Sequence, residues 1–170
     1  LLTSDGRLLI AHSFSLMEWN GNTFNWFFPT NNYHSIFQTI EDKKRGRIVC
    51  ACNQCFKYLD KQGNHKLFFI RPGNKKNTSI VSISMDATGR YWLGSFGGMS
   101  IWDEGKISHL PTKEFPYDKG ATCQYWDENG RLWIGHESGL YLLEKGKVTR
   151  LGQTLFPRWV NAISRLDADH

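Results

Sequence analysis

Several features are missing from this 170-residue chain. No run approaches the ~18 apolar residues that a membrane helix needs, and no signal peptide is visible. No window longer than a turn shows a helical period. There is no Ser nucleophile motif, no phosphate-binding loop and no paired metal-ligand motif. The first residue is Leu rather than Met, so the chain is read as a segment of a longer protein.

Cysteine is scarce, with four residues: Cys50, Cys52, Cys55 and Cys123. Cys52-Asn-Gln-Cys55 has the two-residue spacer of a redox or half-zinc motif. A zinc site needs four ligands, and no second pair of Cys or His sits at matching spacing. A redox pair normally opens a helix, whereas this one lies among strand-forming residues. The expectation is of ordinary buried or hairpin thiols, with a Cys52–Cys55 disulfide in an oxidising compartment. Neither a metal nor another cofactor is expected.

The net charge is +5 and the pI about 9.1. The basic residues are spread through turns, the densest cluster being Asp42-Lys-Lys-Arg-Gly-Arg47, and no zinc-finger or aromatic RNA-binding motif accompanies them. A solvated basic surface is expected, with no nucleic-acid partner.

What the chain does have is a repeat. Asp86, Gly89, Arg90, Trp92, Gly94 and Gly98 recur in register as Asp127, Gly130, Arg131, Trp133, Gly135 and Gly139. The template fits twice more with weaker letters. Leu9 and Val49 stand in the tryptophan slot, and Ala11 and Ala51 in the glycine slot. The reference glycines Gly6, Gly46, Gly89 and Gly130 set a period of about 41 residues. Pro29, Pro72, Pro116 and Pro157 mark the same phase independently, each ending a strand run because proline removes a ladder donor.

Within the third unit, Ile80 to Met85, Arg90 to Gly94, Met99 to Trp102 and Lys106 to Leu110 read as four short strands separated by turns. Four strands in ~41 residues make one blade of a β-propeller. The expected fold is therefore all-β: four four-stranded antiparallel blades, part of a larger ring. The expected units are 1–34, 35–78, 79–119 and 120–159, with 160–170 as the first strand of a fifth. Val160 to Asp167 echoes Ile80 to Asp86, and this last strand is a candidate to pair with the second strand of the first unit. Trp92, Trp133 and Trp102 are expected to fill the wedges between blades. Trp19, Trp26 and Phe56 stand near the slots where Leu9 and Val49 are smaller. The glycine after each Trp is expected where neighbouring backbone comes close.

A first strand ending in Asp, then Gly-x-x-Trp-Ile/Leu-Gly and Gly-Leu/Met, resembles the two-component regulator propeller repeat. The likeness is strong over 81–105 and 122–146 and weaker in the first two units. It implies a seven-bladed, extracytoplasmic sensing ring of a bacterial hybrid histidine kinase. Such rings are often in tandem and are followed by an immunoglobulin-like domain, a membrane span and a kinase. Related receptors respond to glycan breakdown products. The resemblance thus implies a periplasmic sensor, not itself an enzyme. Its partners would be an oligosaccharide, the rest of the ring and a homodimer partner, with the membrane reached only through other segments.

Propeller topology places the inter-blade loops and the hairpins between second and third strands on one face. The candidate ligand residues there are Tyr33, His34, Asn74, Lys75, Asn77, Tyr117, Asp118, His136, Glu137, Arg158 and Trp159. Aromatic faces beside amides and charges suit a sugar, stacking on its C–H face and bonding its hydroxyls. Two alternatives are carried: a lyase or hydrolase using His34, His136, Glu137 or Asp118, and a protein-interaction scaffold.

Overall fold

The computed structural model describes residues 1–12, 15–26, 34–70, 79–110, 120–152, 154–155 and 158–165. Among these the chain forms fifteen strands and no helix. The first sheet holds β1 (Leu8–His12), β2 (Ser15–Trp19) and β3 (Phe24–Trp26). The second holds β4 (Ile36–Asp42), β5 (Arg47–Cys52), β6 (Cys55–Asp60) and β7 (His65–Phe69). The third holds β8 (Ile80–Met85), β9 (Tyr91–Ser95), β10 (Gly98–Asp103) and β11 (Lys106–His109). The fourth holds β12 (Ala121–Trp126), β13 (Leu132–His136), β14 (Gly139–Glu144) and β15 (Lys147–Leu151). Every sheet is an antiparallel meander in chain order.

The first sheet has three strands. Where the others have a first strand, it has a bridge from Leu2 to Leu8, with Thr3 N donating to Arg7 O. The strand expected from Val160 is not assigned over 160–165, because a strand needs a ladder and no partner strand lies beside it among the described residues. The segment is nevertheless seated like one. Val160 O accepts from Thr122 Oγ1 at 2.5 Å, as Ala121 O accepts from Ser82 Oγ at 2.8 Å one sheet earlier. No ladder joins it to β1 among the described residues.

The sheets stack in chain order, and period-two alternation decides which neighbour each residue meets. Ile48, Cys50 and Cys52 face Leu9 and Leu16 of the first sheet, whereas Val49 and Ala51 face Ile83, Tyr91 and Leu93 of the third. Trp92 points the other way, into Leu132, Ile134 and Tyr141 of the fourth. Phe56 and Trp102 fill the second interface, with Trp102 stacked on Tyr91 at 5.1 Å. Trp133 is only half-buried.

Of the aromatics near the weak slots, Phe56 is core but the two tryptophans are not. Trp19 and Trp26 are 36% and 59% exposed. Trp19 pairs with Leu8, and Met17 with Trp26. Alternation therefore puts both indoles on the face of the first sheet that points away from Leu9 and Leu16.

The glycine expectation is met. A Cβ on Gly94 would fall 2.1 Å from Ser82 Oγ and 2.6 Å from the Ala121 carbonyl; one on Gly135 would fall 2.2 Å from Cys123 Sγ and 2.4 Å from the Val160 carbonyl. The next first strand crosses the second strand at this point, so no side chain fits. A bulge recurs near the start of each first strand, between Ile36 and Gln38, Ile80 and Ser82, and Ala121 and Cys123. Bulges of this kind bend a strand and re-aim its side chains.

Candidate functional site

On the turn side of each strong unit, one carboxylate organises the local chain. Asp86 accepts from Thr88 N (3.0 Å), Thr88 Oγ1 (2.6 Å), Arg90 N (3.1 Å), Arg90 Nε (2.8 Å) and Trp92 Nε1 (2.9 Å). Asp127 repeats this clasp on Asn129, Arg131 and Trp133. Burial pushes the Asp86 carboxyl up, but these donors outweigh it and hold the group below its ordinary value. The same balance holds Asp127 at about 2.

Asp42 has no tryptophan to grip. It accepts instead from Tyr91 O–H at 2.5 Å across the sheet interface, and from Arg45. Arg45 in turn donates to Gly89 O and pairs with Glu104. The clasps are scaffold, and they lie at the end of the sheets opposite the expected site. Between the first and second sheets on that side is a cleft lined by Ser4, Arg7, Glu41, Arg47, Asp60 and Lys61, which the sequence did not suggest.

The opposite end is built from the loops leading into each sheet and the hairpins between second and third strands. Asn53, at the tip of the β5–β6 hairpin, joins two of those loops. Its N–H donates to Ser35 O at 2.9 Å and its carbonyl accepts from His34 Nδ1–H at 2.9 Å, while its side-chain oxygen accepts from Ser79 Oγ at 2.6 Å. In the fourth sheet Glu137 N donates to Gly120 O, and Val160 N to His136 O, both at 3.2 Å. A Cβ on Gly120 would sit 2.8 Å from the Phe96 ring and 3.2 Å from Glu137 Oε1, so Phe96, Gly120 and Glu137 meet. Loops and hairpins thus share one face.

Five of the eleven candidate residues lie among those described. His34 is half-buried, its ring edge-on to Phe69 at 5.8 Å. Glu137 is half-buried beside Gly120. Arg158 and Trp159 are exposed. His136 is 0% exposed: its Nδ1 accepts from Ser138 N at 3.0 Å and lies 2.7 Å from Ser138 Oγ, which is 2.9 Å from Tyr141 O–H. That arrangement fixes the ring within its own hairpin. Tyr33, Asn74, Lys75, Asn77, Tyr117 and Asp118 lie outside the described residues.

Sequence reasoning placed the Asn53-Gln54 and Ser95-Phe96 hairpins on this face without naming either as a ligand residue, and passed over Phe37 and Phe69. Phe37, Phe69 and Phe96 are all exposed. Phe37 is at the bulge of β4, Phe69 ends β7 opposite Cys55, and Phe96 tips the β9–β10 hairpin. The available signal was an aromatic within two residues of a strand end on the loop side. Among the described residues no group of three or more His, Cys, Asp or Glu is arranged to hold a metal ion. No helix there is long and apolar enough to cross a membrane.

No family profile matches the chain, and no curated protein does. Solved structures do match. The extracellular domain of the putative one component system BT4673 from B. thetaiotaomicron superposes with a TM-score of 0.71 at 15% identity, over 83% of this chain and 20% of that one. The extracellular domain of the putative hybrid two component system BT3049 from the same organism gives 0.69 at 17% identity, over 90% and 22%. Virginiamycin B lyase from Staphylococcus aureus gives 0.72 at 12% identity, over 88% and 53%.

The chain is a β-propeller segment. It spans about a fifth of each of the two extracellular domains. At these identities the likeness is one of fold, and its four propeller blades account for the period near 41 residues read from the glycines.

Proposed function

We propose that this propeller segment belongs to the extracytoplasmic, periplasmic sensor of a hybrid two-component system. In this reading it binds a carbohydrate, a glycan breakdown product, at its loop face and signals to a histidine kinase across the membrane. The observation that carries the reading is the convergence of loop ends and hairpins on one face, where Phe96 meets Glu137 and where Phe37, Phe69, Arg158 and Trp159 are also exposed. Rigid aromatic faces supply stacking area and the charged groups supply direction. The fold likeness to extracellular domains of one- and two-component systems supports the location.

The loops beyond each proline, carrying Tyr33, Asn74, Lys75, Asn77, Tyr117 and Asp118, complete the specificity. Signalling follows as a population shift between arrangements of a homodimer, driven only by the ligand's differential affinity for them. A lyase reading has less to stand on: of its two histidine candidates His136 is buried in its own hairpin, and His34 is held by the Asn53 carbonyl and the Phe69 ring.

Calorimetry of the intact extracytoplasmic region against a library of glycan fragments tests the proposal. Binding is expected, weakened by Trp159→Ala and Arg158→Ala with no change in thermal midpoint. Turnover of a fragment with no saturable binding would transfer the protein to the enzymes.

A further inference from the structure

The second sheet holds a group of thiols in its core whose chemistry neither the packing nor the sensing face uses. Cys52 and Cys55 are the closing pair of the two-residue turn Asn53-Gln54, directly opposite each other in the β5–β6 ladder, with Gln54 at φ 64°. Cα atoms of a hydrogen-bonded antiparallel pair lie about 5.5 Å apart. A disulfide takes separations of about 4.4–6.8 Å, so a paired position of this kind lies within bonding range. Cys50 is two residues back on the same face and is paired with Lys57, which is itself two residues on from Cys55. All four side chains are fully buried, the three thiols against Leu9, Leu16 and Ile36.

We propose that Cys52 and Cys55 form a dithiol–disulfide couple that closes by exchange with a small-molecule disulfide, with Cys55 as the attacking sulfur. The thiol environments differ in the required sense. Cys55 is lowered by its neighbour Cys52 and by the nearby Lys57 ammonium, against the cost of burial, while the Cys52 S–H is given to the Cys50 carbonyl at 3.6 Å. Cys52 is pushed up by its neighbour Cys55 and by burial, and burial pushes Cys50 up to about 12. The thiolate is the nucleophile, so Cys55 reacts first.

Cys55 thiolate attacks one sulfur of the oxidant RSSR, forming a mixed disulfide and releasing RS⁻. Cys52 then loses its proton to RS⁻ and attacks the Cys55 sulfur, forming the Cys52–Cys55 bond and releasing the second RS⁻, which takes a proton from solvent. The net change is two protein thiols and one RSSR to one protein disulfide and two RSH. Gln54 at the tip is exposed, so local opening of this hairpin admits the oxidant.

The bond would act on the loop face. Asn53, between the two sulfurs in sequence, holds Ser35, His34 and Ser79 in place. Closing the turn stiffens the residue on which two inter-blade loops rest. The chemistry does not depend on the sensing proposal.

The experiment treats the folded chain with oxidised glutathione, quenches with an alkylating agent in denaturant so that every remaining thiol reacts, and maps peptides without reduction. The expected result is a Cys52–Cys55 bond with near-complete loss of alkylation at both residues. Cys50 would be alkylated in the quench, and amide exchange at Asn53 would slow. In Cys52→Ser, Cys55 is expected to hold one glutathionyl group, whereas in Cys55→Ser the remaining Cys52 stays a thiol. If wild-type Cys52 and Cys55 both remain alkylatable, or if Cys50 replaces either in the bond, the couple does not exist. Glutathionylation of Cys52 in Cys55→Ser with none at Cys55 in Cys52→Ser would overturn the assignment of the attacking sulfur.

Discussion

Replacing Asp86 with Ala removes one carboxylate and orphans five donors together. The indole N–H of Trp92 is the costly one, because Trp92 is buried between the third and fourth sheets and its donor loses a buried acceptor. An unsatisfied buried donor costs about 1–3 kcal/mol. The Arg90 ion pair is partly exposed and adds about 0–1 kcal/mol. The turn amides of Thr88 and Arg90 also lose their acceptor, but part of that loss is recovered as water reaches the turn. The expected loss is therefore about 2–4 kcal/mol, a large share of the ~5–15 kcal/mol that stabilises an ordinary domain.

Urea unfolding followed by tryptophan fluorescence reads the change as a lower midpoint with an unchanged slope. A double-mutant cycle with Trp92→Phe separates the indole contribution: the two losses should fall well short of additive, because they remove the same hydrogen bond. Asp127→Ala, whose Trp133 is only half-buried, should cost less. A loss below about 0.5 kcal/mol for Asp86→Ala, the range of ordinary surface changes, would refute the clasp as a structural element.

Further outcomes follow from the same contacts. Gly94→Ala should separate the third and fourth sheets, because its methyl would meet the Ala121 carbonyl; a destabilisation of about 1–3 kcal/mol in urea is expected, and tolerance would mean the strands do not cross there. Tyr91→Phe should cost about 1.5–3 kcal/mol by taking a donor from the buried Asp42 carboxylate, measured by thermal unfolding. The carboxyl groups of Asp42, Asp86 and Asp127 all lie below their unfolded value of 3.8. Their stabilisation is thus complete above that value and is lost as pH falls through the folded one. The thermal midpoint should hold down to about pH 4 and drop toward about pH 2, where Asp127 takes up its proton. A midpoint flat to pH 2 would contradict that.

The repeat was legible because it is local. Asp, Gly and Pro at fixed offsets set turns, and alternation between them sets strands, so blade boundaries needed no knowledge of neighbours. The third unit's four strands were read to within about a residue. The use of Gly94 and Gly135 was also readable, since a strand interior tolerates glycine only where something comes close.

Which large side chains would be buried was not readable in the same way. Trp19 and Trp92 are alike as letters, and each sits in a second or third strand. Trp92 is buried because Leu132 and Ile134 of another sheet cover it; Trp19 is exposed because its face of the first sheet is covered by nothing among the described residues. The same dependence hid the partner of Asp42, a tyrosine 49 residues away, and the role of Asn53, whose bonds run to residues 18, 19 and 26 positions distant. It also turned His136 from a surface candidate into a buried ring. The sequence by itself determined the period, the turns and the strands, because those are set by dihedral preference and alternation within a few residues. Only the stacking of one sheet on the next decided what is core, what is clasp and what faces a ligand, because burial belongs to pairs of sheets.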